Sequence, residues 1–147
     1  MKIAIACDHA GFDVKERLKR HLEERGHEVA DCGTDSVESC DYPDFAVPAA
    51  ARVADGDADR GVLVCTTGVG MSIIGNKVQG VRAALCLNDD MARMSRSHND
   101  ANVLVLAAKY TPVDEMERFI DVWCTTAFEG GRHARRVGKI TDYETKS

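Results

Sequence analysis

A chain of 147 residues with 44% apolar and 29% charged side chains is long enough to bury a core of its own and is expected to form one domain over 1–147. Its net charge of −5 excludes a general nucleic-acid binder, whose affinity rests on clustered Lys and Arg. No apolar run approaches the roughly 20 residues of a membrane-spanning helix.

The first apolar run, Lys2 to Cys7, is too short for the core of a secretory signal and reads as strand one. After Asp8-His9-Ala10-Gly11 comes a helical stripe of Phe12, Lys15, Leu18 and Leu22, with Gly26 as its stop. Strand two falls within 27–32 around Val29, and polar 33–41 is a loop. Pro43 suits the first turn of a helix carrying Phe45, Ala49, Ala50 and Val53, ended by Asp55-Gly56-Asp57. Pro48 inside that run predicts a late start or a bend. Strands three, four and five follow at 61–65, 81–86 and 103–107, with helices at 70–78 and 88–97 between them. Thr111 as N-cap and Pro112 at the first helical position open a helix whose stripe is Met116, Phe119, Ile120 and Trp123. Glu129-Gly130-Gly131 breaks the chain before a final basic helical segment.

Strands that alternate with helices predict an α/β fold, a parallel sheet covered on both faces. Ligands of such sheets bind outside the carboxyl ends of the strands, where the strand order reverses. If strands one and three flank that point, Cys7-Asp8-His9 and Cys65-Thr66-Thr67 face one crevice. The six cysteines include no C-x-x-C pair. With no secretion signal to accompany them, they read as thiols in a reducing cytoplasm, most of them small buried apolar groups.

The stretch LVCTTGVGMS, 63–72, ends a strand in a thiol and opens a Gly-rich turn. Three familiar anion loops fail here. The nucleotide phosphate loop would need Lys at Asn76. The dinucleotide fingerprint would need Gly or Ala at Ile73, and its glycines would follow strand one. A cysteine phosphatase loop would need Arg at Met71. Two readings remain: a tight turn over a buried cysteine, or a concavity of backbone N–H groups that attracts negative charge and favours a thiolate at Cys65.

Asp8-His9 is a helix cap with a surface imidazole, or part of a site; His98 has the same two readings. Arg132 and Arg136, four apart, share one helix face, either as a solvated basic end or as a clamp for phosphate. Taken together these groups supply a base, an anion hole, an imidazole and a phosphate clamp, with no metal-ligand set and no nucleotide loop. That inventory fits proton abstraction next to a carbonyl in a phosphorylated sugar.

The blocks CDHAG (7–11), DYPDFA (41–46), CTTGVGMSIIGNK (65–77), SHNDANVL (97–104) and EGGRHARR (129–136), in this order, resemble the ribose-5-phosphate isomerase B family, which includes galactose-6-phosphate isomerase subunits. The resemblance implies a three-layer α/β/α sandwich with a five-stranded parallel Rossmann-like sheet. It also implies a homodimer with active sites at the subunit interface, sometimes paired into a dimer of dimers. The implied reaction needs neither metal nor cofactor and exchanges D-ribose 5-phosphate and D-ribulose 5-phosphate through a cis-enediolate. On this resemblance Cys65 is the proton-shuttling base, placing the chain in the cysteine subtype, since relatives without it use a Glu where Met71 stands. Thr67 and the amides of Gly68, Val69, Gly70, Met71 and Ser72 cradle the enediolate oxygens. His98, helped by Asp8, opens the furanose ring; Asn99 meets substrate hydroxyls; His9, Arg132 and Arg136 hold the phosphate. Two positions depart from the common pattern: Thr66 replaces a usual Gly, and Lys109 replaces an Arg that reaches the phosphate. A Lys keeps the charge but loses the planar fork, so tetrose or hexose phosphates stay open as substrates. Two other function classes remain. A thiol hydrolase would leave Arg132 and Arg136 unexplained, and a non-catalytic sugar-phosphate sensor would not need Cys65 and His98.

Overall fold

The computed structural model describes residues 1–146. The strands β1 (Lys2–Cys7), β2 (Glu28–Asp31), β3 (Arg60–Cys65), β4 (Ala83–Leu85) and β5 (Val103–Ala107) form one sheet in the order β2-β1-β3-β5-β4. Every pairing is parallel. The connecting helices are α1 (Phe12–Glu24), α2 (Pro43–Ala54), α3 (Val69–Gly75), α4 (Asp89–Ser97) and α5 (Val113–Thr125). A short 3₁₀ turn, His9–Gly11, precedes α1, and α6 (Arg132–Glu144) follows the last layer.

Side chains alternate across the sheet with the period of two that strands impose. Ile3, Ile5, Val62, Val64, Leu104 and Leu106 pack with Leu18 and Leu22 of α1 and with Met116, Phe119, Ile120 and Trp123 of α5. The alternate set, Ala4, Ala6, Leu63, Cys65, Val103 and Val105, packs with Ala46, Ala49, Ala50 and Val53 of α2 and Met71 of α3. Each large side chain so buried contributes about 1.5–3 kcal/mol. Burial on both faces explains why the central strands read as unbroken apolar runs. The fold is the expected three-layer α/β/α arrangement. No helix among the described residues is long and apolar enough to cross a membrane.

Lys15, a polar member of an otherwise apolar stripe, is buried. Its ammonium donates to both Asp31 carboxylate oxygens, at 3.0 and 2.9 Å, and to the Thr34 carbonyl at 2.9 Å. Burial opposes its charge, but the Asp31 and Glu16 carboxylates outweigh that and hold its pKa above the ordinary value. The pair ties α1 to the loop after β2.

Four elements differ from expectation. α2 begins at Pro43 and runs through Pro48, because Pro48 and Asp44, whose carbonyl loses its partner, both lie on the exposed face. α5 starts at Val113, with Pro112 still extended (φ −58°, ψ 144°) and acting as the cap without a side-chain bond. Thr111 is therefore no N-cap; it is buried before the helix. β4 is confined to Ala83–Leu85 at the edge of the sheet, and α3 stops at Gly75, short of Val78.

Candidate active site

The chain leaves β1 toward β2 on one side and then returns to β3 on the other, so the strand order reverses between β1 and β3. Cys7 pairs with Val64 in register, which brings the two motif-bearing strand ends side by side, as expected. Asp8, buried, caps the 3₁₀ turn by accepting from the Ala10 N–H at 3.0 Å. His9 Nδ1 accepts from the Cys40 backbone N–H at 3.1 Å. That bond fixes the neutral tautomer with hydrogen on Nε2, leaving a donor for an anion.

Burial separates the two strand-end thiols. Cys7 is fully buried toward α1, and desolvation pushes its thiol up to about 12. Burial likewise pushes Cys86 and Cys124 up to about 11. Cys65 faces the α2–α3 layer and keeps 5% of its surface open at the mouth of the turn.

Gly68 sits at φ 75°, and a Cβ there would come within 2.5 Å of a Leu85 methyl, so only glycine fits. The Thr67 hydroxyl accepts from the Val69 N–H at 3.3 Å. The Ser72 N–H is spent on the Gly68 carbonyl at 2.9 Å. Of the five amides expected to form the cradle, those of Val69 and Ser72 are thus engaged within the turn. Those of Gly68, Gly70 and Met71 have no protein acceptor among the described residues. Met71 offers only its backbone, since its side chain is fully buried. The Tyr42 ring lies over Gly70, 2.7 Å from where a Cβ would stand. Beyond β5, the Lys109 N–H donates to the Thr66 carbonyl at 2.9 Å, so both departures from the family pattern border this crevice. The Lys109 ammonium lies 5.7 Å from the centre of the Tyr110 ring.

A second group forms at the opposite end of the sheet. His98 caps the C-terminus of α4, and its ring stacks on that of His133 with centroids 4.2 Å apart and planes 8° from parallel. His133 is buried; desolvation, then the charges of His98 and Arg132, hold its pKa below the ordinary imidazole value. Glu129 approaches His133 Nε2 at 3.4 Å and donates its N–H to the Ser97 carbonyl at 3.0 Å. Asn99 precedes Asp100, the only non-glycine residue with positive φ (47°) among those described. Its carboxylate is held by Arg96 at 2.8 Å and Arg82 at 3.4 Å. Those bonds offset the roughly 1–2 kcal/mol of a left-handed residue. Arg132 and Arg136, both exposed on α6, pair with no carboxylate among the described residues.

His133 is not among the site residues expected from the sequence; it lies between Arg132 and Arg136 on one basic helix. Its signal is its place one turn before Val137, the next half-buried position of a basic helix.

The structure therefore collects Asp8, His9, Cys65, Thr67, the turn amides and Lys109 at the carboxyl ends of the strands. It collects His98, Asn99, Arg132 and Arg136 at the amino ends. Gly61 pairs with Val103 and Cys65 with Ala107, so the ends lie four residues apart, about 13 Å along the strands. Within one chain Asp8 does not reach His98: its carboxylate caps the 3₁₀ turn, while His98 lies against His133.

A family model described as Ribose/Galactose Isomerase matches residues 3–140. The chain is 46% identical over 145 residues to ribose-5-phosphate isomerase B of Escherichia coli (strain K12), covering 99% of this chain and 97% of that one. Among solved structures it is similar to ribose-5-phosphate isomerase B of Clostridium thermocellum, with 50% identity, a TM-score of 0.97 and 99% of each chain covered. It is also similar to ribose-5-phosphate isomerase B of Mycoplasma genitalium with bound ribulose-5-phosphate, with 40% identity and a TM-score of 0.96. That match covers 99% of this chain and 97% of the other.

Proposed function

The chain belongs to the ribose/galactose isomerase family, and from that premise we propose that it interconverts D-ribose 5-phosphate and D-ribulose 5-phosphate at a site shared by two copies of the chain. The observation that carries the chemistry is the Cys65 thiol at the mouth of a turn with three unspent amides. The observation that carries the shared site is the placement of Cys65 and His98 at opposite ends of one sheet.

His98 protonates the ring oxygen of the closed aldose while the anomeric hydroxyl loses its proton, and the aldehyde opens. The Cys65 thiolate removes the proton at C2. Negative charge on the enediolate oxygens meets the N–H groups of Gly68, Gly70 and Met71, as in an oxyanion hole. The Thr67 hydroxyl has its lone pair on the Val69 amide and its hydrogen free to donate to the same oxygens. The proton of the C2 hydroxyl passes to O1 and the thiol returns the carbon proton at C1, giving the ketose. A single group takes and gives the proton, so no other acid is needed at carbon.

A second copy seated against the first would bring its amino-end group to this crevice. Val69 and Ile73, one turn apart on α3, are exposed, as are Met91 and Met94 on α4. On α6, Ile140 and Tyr143 are exposed, and the Gly80 N–H donates to Glu144 at 2.9 Å, tying the helix end to the body. Between α6 and the β4 edge lies a groove of about 990 Å³ that includes Val81, Ala83 and Ile140. A two-fold pair uses each patch twice and forms two identical sites. His9 from one copy and Arg132 and Arg136 from the other then hold the phosphate. The six free thiols suit a reducing cytoplasm as the place of action.

Replacing His98 by Asn tests the ring-opening role. A tetrose phosphorylated on its terminal hydroxyl cannot close a furanose and needs no acid at a ring oxygen. Turnover of ribose 5-phosphate is expected to fall much further than turnover of erythrose 4-phosphate. Equal losses on both substrates would assign His98 to the enediolate step instead.

Arg132→Ala and Arg136→Ala are expected to raise KM for ribose 5-phosphate by about 30-fold or more, because truncating one partner of a desolvated charge pair costs roughly 2–5 kcal/mol. Turnover at saturation should change far less. Unchanged KM in both variants would make the start of α6 a solvated face.

A further inference from the structure

We propose that His98, Glu129 and His133 form a binding site for a divalent transition-metal cation, and that an ion held there blocks the isomerase by sequestering His98. The proposal rests on the reading of His98 as the ring-opening acid.

The three side chains each offer one ligand atom, and these atoms lie within 4.8 Å of one another. Two imidazoles and a carboxylate are the donor set that suits zinc, cobalt and nickel. A tetrahedral ion with bonds of about 2.0–2.1 Å sets its ligand atoms about 3.3 Å apart. Glu129 Oε2 and His133 Nε2 already stand 3.4 Å apart, the length of one such edge. Their backbones are anchored by the fold. Glu129 is tied to α4 through its N–H on the Ser97 carbonyl, and His133 is buried at the first turn of α6.

The third ligand has to turn. Stacked rings carry their lone pairs in parallel planes, so His98 must leave the stack to converge on the same ion. Its place at the half-buried C-cap of α4 gives it room to rotate, and the exposed Glu129 carboxylate can follow. That same movement is what would inhibit. An imidazole whose lone pair is on a metal cannot carry the proton to a ring oxygen, and its ring no longer lies where the stack holds it. Three protein ligands leave a coordination position open to water.

The test separates binding from activity. Co²⁺ is titrated into the Cys65→Ser protein, followed by its visible d–d bands and by calorimetry, so that no Cys65 sulfur contributes. The expected result is saturation at one ion per chain, without a sulfur charge-transfer band. In the Cys65→Ser/Glu129→Gln protein, half-saturation should need at least about tenfold more Co²⁺. With Cys65 present, Zn²⁺ should suppress turnover of ribose 5-phosphate reversibly on adding chelator. Glu129→Gln should keep its basal turnover and need about tenfold more Zn²⁺ for the same loss. No stoichiometric binding, binding unaffected by Glu129→Gln, or binding without loss of turnover would each overturn the proposal. Failure of the ring-opening assignment would look different: His98→Asn would keep full turnover in chelator-treated protein, whatever the Co²⁺ titration showed.

Discussion

Replacing Cys65 by Ser is expected to cut isomerase turnover by about 10²–10⁴-fold, the range a positioned general base supplies, while leaving the fold and phosphate binding intact. A serine hydroxyl is far too weak an acid to be ionised near neutral pH, so it cannot take a proton from C2. It fills the same space at the end of β3, and the turn amides proposed to hold the enediolate oxygens are backbone groups that the change does not touch. Turnover of ribose 5-phosphate, far-UV circular dichroism and thermal midpoint, measured on the same preparation, separate the two effects. Cys7→Ser is the control. Its site is fully buried against α1, so a hydroxyl left without a partner there should cost about 1–3 kcal/mol of stability and leave turnover per folded molecule unchanged. A loss of only a few-fold in Cys65→Ser would return Cys65 to the class of inert buried thiols.

Mixing two inactive variants is expected to restore activity. Cys65→Ser lacks the proposed base and His98→Asn the proposed ring-opening acid, so each protein alone should be nearly silent on ribose 5-phosphate. After unfolding and refolding together in equal amounts, about half the pairs are hybrids, and each hybrid holds one site with both groups intact. Turnover should therefore rise to roughly a quarter of the native value. A site contained in one protomer would never combine the two intact residues. Mixed samples that stayed silent while hybrid pairs were demonstrably present would rule out sharing.

Much of this was legible in the chain. The strands and helices followed from the periods of their apolar residues, and the stripe on α5, Met116, Phe119, Ile120 and Trp123, is buried as a unit. The Gly-rich turn announced itself because its geometry is local: a left-handed glycine, a thiol at a strand end and a helix beginning at Val69. Pro48 misled because a proline is costly inside a helix only where the freed carbonyl has no water, and here the neighbouring face is exposed. Thr111 misled because capping depends on where the helix turns, and Pro112 stays extended for one residue more.

What the sequence determined by itself was the α/β alternation, the family and which groups are on offer for the chemistry, because these depend on neighbours along the chain. The tertiary structure decided which strand-end thiol is sealed, since Cys7 and Cys65 look alike in sequence and differ only in what packs over them. It decided which turn amides remain for a ligand, because Thr67 and Gly68 accept two of the five. It brought out the His98–His133 stack, between residues distant in sequence. Most of all it decided that Cys65 and His98 lie at opposite ends of the sheet, for strand direction and register fix which edge each loop reaches. Spacing along a chain carries no such information.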